Sequence, residues 1–86
     1  MQNIKISENK IKIIFTCDQS WKDTLHPTDE KIKDIPYNFR ILSGISEISG
    51  YICACRDFGI IDNKTGLWLI NKYETEAEKE IRAGEQ

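Results

Sequence analysis

The chain reads as a small α+β domain, residues 1–86 as a single unit, with an antiparallel sheet of about five or six strands, a short helical connection and a C-terminal helix. Three observations predict it. The apolar runs Phe58–Ile61 and Leu67–Ile70 flank Asp62-Asn63-Lys64-Thr65-Gly66, a loop of hairpin length whose glycine can take the positive φ that closes such a turn. Ile4 and Ile6 are followed by Ser7-Glu8-Asn9-Lys10, after which Ile11, Ile13, Phe15 and Cys17 alternate with Lys10, Lys12, Ile14 and Thr16, which spells a second hairpin. Eighty-six residues also hold one modest core and no second domain.

Taken in order, residues 3–7 and 10–17 form the first hairpin, with Ile4, Ile6, Ile11, Ile13 and Phe15 inward and Lys5, Lys10 and Lys12 outward. Residues 18–36 are a helical or irregular connection. Ser20 and Asp23 stand at capping-box spacing, Trp21 and Leu25 are four apart, and His26-Pro27 ends the turn. Thr28 to Ile35 offers an N-cap and two early acids before Pro36, which disfavours helix in the residue ahead of it. Tyr37–Leu42 is the third strand and Ser43–Glu47 a turn; Ile48–Arg56 is the fourth strand, with a bulge at Ser49-Gly50. Residues 58–62 and 67–72 complete the sheet. Thr75 and Glu78 then make a capping box that opens a helix to about Ala83, with Gly84 as its stop and only Ala77 and Ile81 on its apolar face.

Twelve Lys and Arg against 14 Asp and Glu give a net charge of −2, with the bases spread along the chain. A concentrated basic stripe for phosphate is therefore not expected, and nucleic acid is a third-ranked partner. The acids Glu74, Glu76, Glu78, Glu80 and Glu85, broken by Lys79 and Arg82, suit a solvated helix face. Three cysteines with no apolar leader fit a reducing, cytoplasmic setting, and no apolar run approaches a membrane span, so no membrane partner is expected.

Few residue sets suggest chemistry. Cys53-Ala54-Cys55 on a strand would project both sulfurs to one face, and with Cys17 and His26 could supply four zinc ligands. A one-residue spacing does not wrap a metal, so all three cysteines are better read as small buried hydrophobes, and no cofactor or metal is expected. His26 with a cysteine could form a nucleophilic pair, but nothing supplies an orienting group. Asp18, Asp29 and Asp62 fall where caps and turns use aspartate. Gly44 and Gly50 lack the lysine and hydroxyl residue that a phosphate loop requires.

The expectation is accordingly a non-enzymatic protein-interaction module, an inhibitor or accessory protein of phage, mobile-element or immunity type. It would occlude a larger partner through an exposed strand edge and an aromatic patch of Trp68, Tyr51, Tyr73 and Arg56. Self-pairing of that edge into a homodimer is the other use expected of it. The alternatives are a zinc domain on Cys17, His26, Cys53 and Cys55, and a single-strand binder using Tyr37, Arg40, Tyr51, Arg56 and Trp68.

Overall fold

Ile41, Ile45, Ile48, Ile52 and Cys55 follow one another at intervals of four, three, four and three, the stripe of a packed helix rather than of two strands and a turn. The computed structural model describes the backbone of residues 2–84, and the side chains of that span except residues 2–7 and Ile32. It contains helices and no strand among the described residues: α1 Gln2–Leu25, the single turn α2 Glu30–Lys33, α3 Tyr37–Asp57 and α4 Asn63–Gly84. The expected sheet, both hairpins and the α+β class are thereby corrected to an all-helical fold. An inhibitor or phage-type accessory mode that works through a strand edge loses its physical basis with them. The inward placement of Ile4 and Ile6 lies outside the described side chains.

The three long helices form an elongated bundle of 46 × 24 × 17 Å. Central α3 packs antiparallel against both α1 and α4. Each helix contributes one stripe to a common core: Ile13, Cys17 and Trp21 from α1; Ile41, Ile48, Ile52 and Cys55 from α3; Leu69, Tyr73 and Ala77 from α4, with Ile61 plugging one end. At about 100° per residue, Ile13 and Cys17 share a helix face while Ile11 and Phe15 fall opposite. The alternation that suggested a strand is thus a helix with apolar residues on two sides.

Glycines and capping residues take roles other than those expected. Gly44 and Gly66 are buried helix positions. A Cβ on Gly44 would stand 2.6 Å from Thr24 Oγ1, so its absence lets α1 and α3 approach closely. The glycine with positive φ is Gly59, at 75°. It closes α3 in a Schellman arrangement, the Ile60 N–H donating to Cys55 O at 2.9 Å and the Gly59 N–H to Arg56 O at 3.0 Å.

Asp62, expected in a hairpin turn, caps α4 instead: its carboxylate accepts the Thr65 N–H at 2.8 Å, and its carbonyl accepts the Gly66 N–H at 3.0 Å. The Thr65 hydroxyl and amide also hold the Asp62 carboxyl below its ordinary pKa. Helix α4 therefore begins well before the expected capping box. Thr75 lies inside it, donating to Asn71 O at 2.7 Å. Similarly, Gly50 lies within α3 rather than at a bulge.

Candidate interaction surfaces

The chain has an accessible area of 6300 Å² at 10.0 kDa. Much of what is exposed is apolar: Ile11, Phe15, Ile35, Phe39, Leu42, Tyr51, Phe58, Ile60, Leu67 and Trp68 are all more than two-fifths accessible. Scattered single hydrophobes need no explanation, whereas grouped ones mark contact surfaces.

One group forms a groove between α3 and α4. Leu42, Ile45, Ala77 and Ile81 line a cleft of about 370 Å³, with Glu74, Glu78 and Arg82 at its edge. Arg82 Nη2 donates to Glu78 Oε1 at 2.6 Å across one helical turn. Leu42 is half exposed above a floor that Ala77 keeps low because it carries only a methyl. The rim thus carries two acids and one base already engaged with one of them.

A second groove, between α1 and α3, is lined by Thr16, Cys17, Ser20, Glu47, Ile48 and Tyr51 and encloses about 280 Å³. It gathers hydroxyls, a carboxylate and a thiol, which would suit catalysis if the thiol ionised. Burial, with Asp18 and Cys55 adding to it, instead pushes Cys17 up to about 11 from an ordinary 9.0. The Tyr51 hydroxyl is also raised, mainly by burial. A protonated thiol is a small hydrophobe, and that is how Cys17 packs.

The expected aromatic patch is not assembled in one place. Tyr73 is 1% exposed in the core; its hydroxyl donates to Asp18 Oδ1 at 2.8 Å and lies 3.3 Å from Ile14 O, which ties α4 to α1. Burial and the Asp18 carboxylate raise its pKa far above the ordinary value. Tyr51 opens on the α1–α3 groove. Arg56 packs its methylenes 3.4–3.7 Å from where a Gly66 Cβ would stand, at the α3–α4 seam, and pairs with Asp57 at 3.5 Å. Trp68, half exposed, lies under the Lys10 ammonium at 3.9 Å, between α4 and α1. These residues occupy different seams of the bundle.

The alternative residue sets are dispersed too. Tyr37 donates to Glu80 Oε2 at 2.5 Å, which raises the phenol, and Arg40 donates from Nε to Thr24 O at 2.8 Å, far along the bundle from Arg56 and Trp68. For zinc, the helix turns Cys53 about 200° away from Cys55. His26 lies nine residues beyond Cys17, roughly 13 Å along α1. Among the described residues no group of three His, Cys, Asp or Glu side chains converges on a metal-sized site. Nor is any helix among them long and apolar enough to cross a membrane.

Sequence reasoning missed the groove because it assigned Leu42 to a strand and Ala77 and Ile81 to the thin apolar face of a short C-terminal helix. The four-residue spacing of Leu69, Tyr73, Ala77 and Ile81 was the signal that could have found it. Compared with protein-family models, curated proteins and solved structures, the chain matches none.

Proposed function

We propose that this chain is a non-enzymatic protein-interaction module whose contact site is the α3–α4 groove. The observation that carries the reading is the groove itself. It is an open apolar trough formed by Leu42, Ile45, Ala77 and Ile81, with Glu74 and Glu78 on its rim. Two antiparallel helices leave a furrow that a further helix fills by ordinary ridge-and-groove packing, converting three helices into four. The occupant that fits is an amphipathic helix of a partner protein, with aliphatic anchors at i, i+3 and i+4 and lysines or arginines beside them to meet Glu74 and Glu78.

The test is a pair of affinity baits, the wild-type chain and Leu42→Glu. The variant puts a charge in the trough at a half-exposed position, so the fold should be undisturbed by circular dichroism. A partner retained by the wild-type bait and depleted at least about tenfold on the variant supports the groove, since one desolvated hot-spot contact is worth that much. Partners held equally by both baits, or by neither, overturn it.

A further inference from the structure

Lys10, Lys12, Arg56 and Lys64 meet most of the exposed large hydrophobes at one end of the bundle, while Phe39, Leu42 and Ile35 are exposed toward the other. Because α3 runs antiparallel to its neighbours, the first half of α1, the end of α3, the 58–62 connection and the start of α4 lie together. Three contacts confirm the juxtaposition: Asn9 Nδ2 donates to Ile60 O at 3.0 Å, Lys10 covers Trp68, and Arg56 packs on Gly66. This end presents Phe58, at 83% the most exposed large hydrophobe among the described residues, together with Ile60, Leu67 and Trp68; Ile11 and Phe15 lie on the outer side of adjoining α1. Lys10 lies over Trp68, Lys64 is in the first turn of α4, and Lys12 and Lys72 follow on α1 and α4; of the nearby acids, Asp57 pairs with Arg56 and Asp62 caps α4, while Glu8 is exposed on α1. The acids Glu74, Glu76, Glu78 and Glu80 all fall in the second half of α4, toward the other end.

We propose that this end of the bundle docks on an anionic lipid bilayer surface, with Phe58 and its neighbours entering the headgroup region and the lysines meeting lipid phosphates and carboxylates. Phe58, Ile60 and Leu67 stand out around the α3–α4 connection and form no concavity, so a protein partner would have to be shaped around them. A bilayer interface accepts such side chains without prior fit, and aromatic and aliphatic groups flanked by lysine are what it favours. Each lysine near an anionic surface contributes about fivefold in affinity, and the acidic second half of α4 is disfavoured at the same surface. The Gly59 turn sets Phe58 out from the bundle: its positive φ closes α3 abruptly, and Phe58 is 83% exposed. The inference goes beyond the groove reading, since the two surfaces lie on different parts of the molecule.

The experiment is co-sedimentation of the full chain with phosphatidylcholine vesicles, with and without roughly 30 mol % phosphatidylserine, while tryptophan emission is recorded. Trp21 is buried and Trp68 half exposed, so a change in emission reports chiefly on the docking end. The expected result is sedimentation and a blue shift with phosphatidylserine vesicles, both lost when salt is raised several-fold. Phe58→Ser and Lys64→Glu should each weaken partitioning, roughly fivefold and tenfold or more respectively. Ile35→Ser, on the connection between α1 and α3, should not. No sedimentation at low salt, equal binding to both vesicle types, or indifference to Phe58→Ser overturns the proposal. Binding of a single-stranded oligonucleotide in place of vesicles overturns it too, assigning the basic end to nucleic acid. Loss of groove binding in Leu42→Glu with vesicle binding intact would separate the two readings.

Discussion

The same substitution at two glycines of α3 should move stability in opposite directions. Gly44 faces α1, and an added Cβ would lie 2.6 and 2.7 Å from Thr24 Oγ1 and Cγ2 and 3.1 Å from its Cβ. Thr24 is β-branched, and its hydroxyl donates to Ser20 O at 3.0 Å, so turning it away breaks that bond and still leaves a methyl in place. Overpacking of this kind costs about 1–3 kcal/mol, against which alanine gains about 1 kcal/mol of helix propensity. Gly44→Ala should therefore lose up to about 2 kcal/mol. At Gly50 nothing stands within 4 Å of the added methyl, so Gly50→Ala should gain about 0.5–1 kcal/mol. Urea titration read by circular dichroism at 222 nm gives both values, and the corresponding thermal midpoints should separate by roughly 2–24 °C. If both variants stabilise equally, α1 does not pack on α3 at Thr24. If Gly50→Ala destabilises by a full kcal/mol, α3 is not a continuous solvent-facing helix there.

Two further effects follow from the α1–α4 seam. Tyr73→Phe removes the hydroxyl that reaches Asp18 while preserving the ring in the core, so the loss should be about 1 kcal/mol; a change below about 0.3 kcal/mol by urea titration would mean that the bond does not hold α4 to α1. Stability should also decline in alkali. The unfolded Cys17 thiol ionises near 9.0 and the folded one near 11, so its contribution is complete below about pH 9 and is lost as pH rises toward 11, the unfolded state binding fewer protons throughout that window. The Tyr73 phenol, raised as well, adds to the decline above its ordinary pKa of 10.0. Measured stability that stays flat from pH 9 to 10.5 in the wild type, or slopes equally in Cys17→Ala, would contradict a protonated thiol in the core.

What was legible in the sequence was mostly local. Pro36 does terminate one segment, as expected: α2 ends at Lys33, and Pro36, with φ −52° and ψ 140°, precedes α3. His26-Pro27 likewise ends α1. Asp62 makes the short-range backbone hydrogen bond foreseen for it, though in a helix cap, because a cap and a hairpin turn both reward a carboxylate that reaches an amide a few residues on. Cys17 and Cys55 are buried as small hydrophobes. The architecture was misread because isoleucine-rich segments with interspersed glycine carry strand propensity and turn signals together. Propensity is a weak prior that a continuous core stripe overrides. Gly44 and Gly50 interrupted the stripe from Ile41 to Cys55 for a reader of local signals, although the first is required by helix packing and the second is tolerated on an open face. The candidate site was less legible still, because Leu42 and Ile81 become neighbours only once α3 and α4 fold back on each other.

The residues that disguised the helices are also the ones that need a functional explanation. Ile11 and Phe15 make α1 alternate like a strand, and Leu67 and Trp68 make the start of α4 look apolar on both sides. In a helix that only had to fold, those outward positions would be polar, which would restore a clean helical period and spare the chain its exposed apolar surface. Their side chains contribute little to the core and carry a liability for association in water. A conflict between local pattern and global fold is expected where a surface is kept for contact rather than for stability. Here the conflicts at Ile11, Phe15, Leu67 and Trp68 adjoin Phe58, beside the lysines, and not along the acidic half of α4. The opposite end also exposes Phe39, Leu42 and Ile35, there beside the acids of α4, so the proposed basic surface and the acid-rimmed groove have opposite electrostatic preferences on one short bundle.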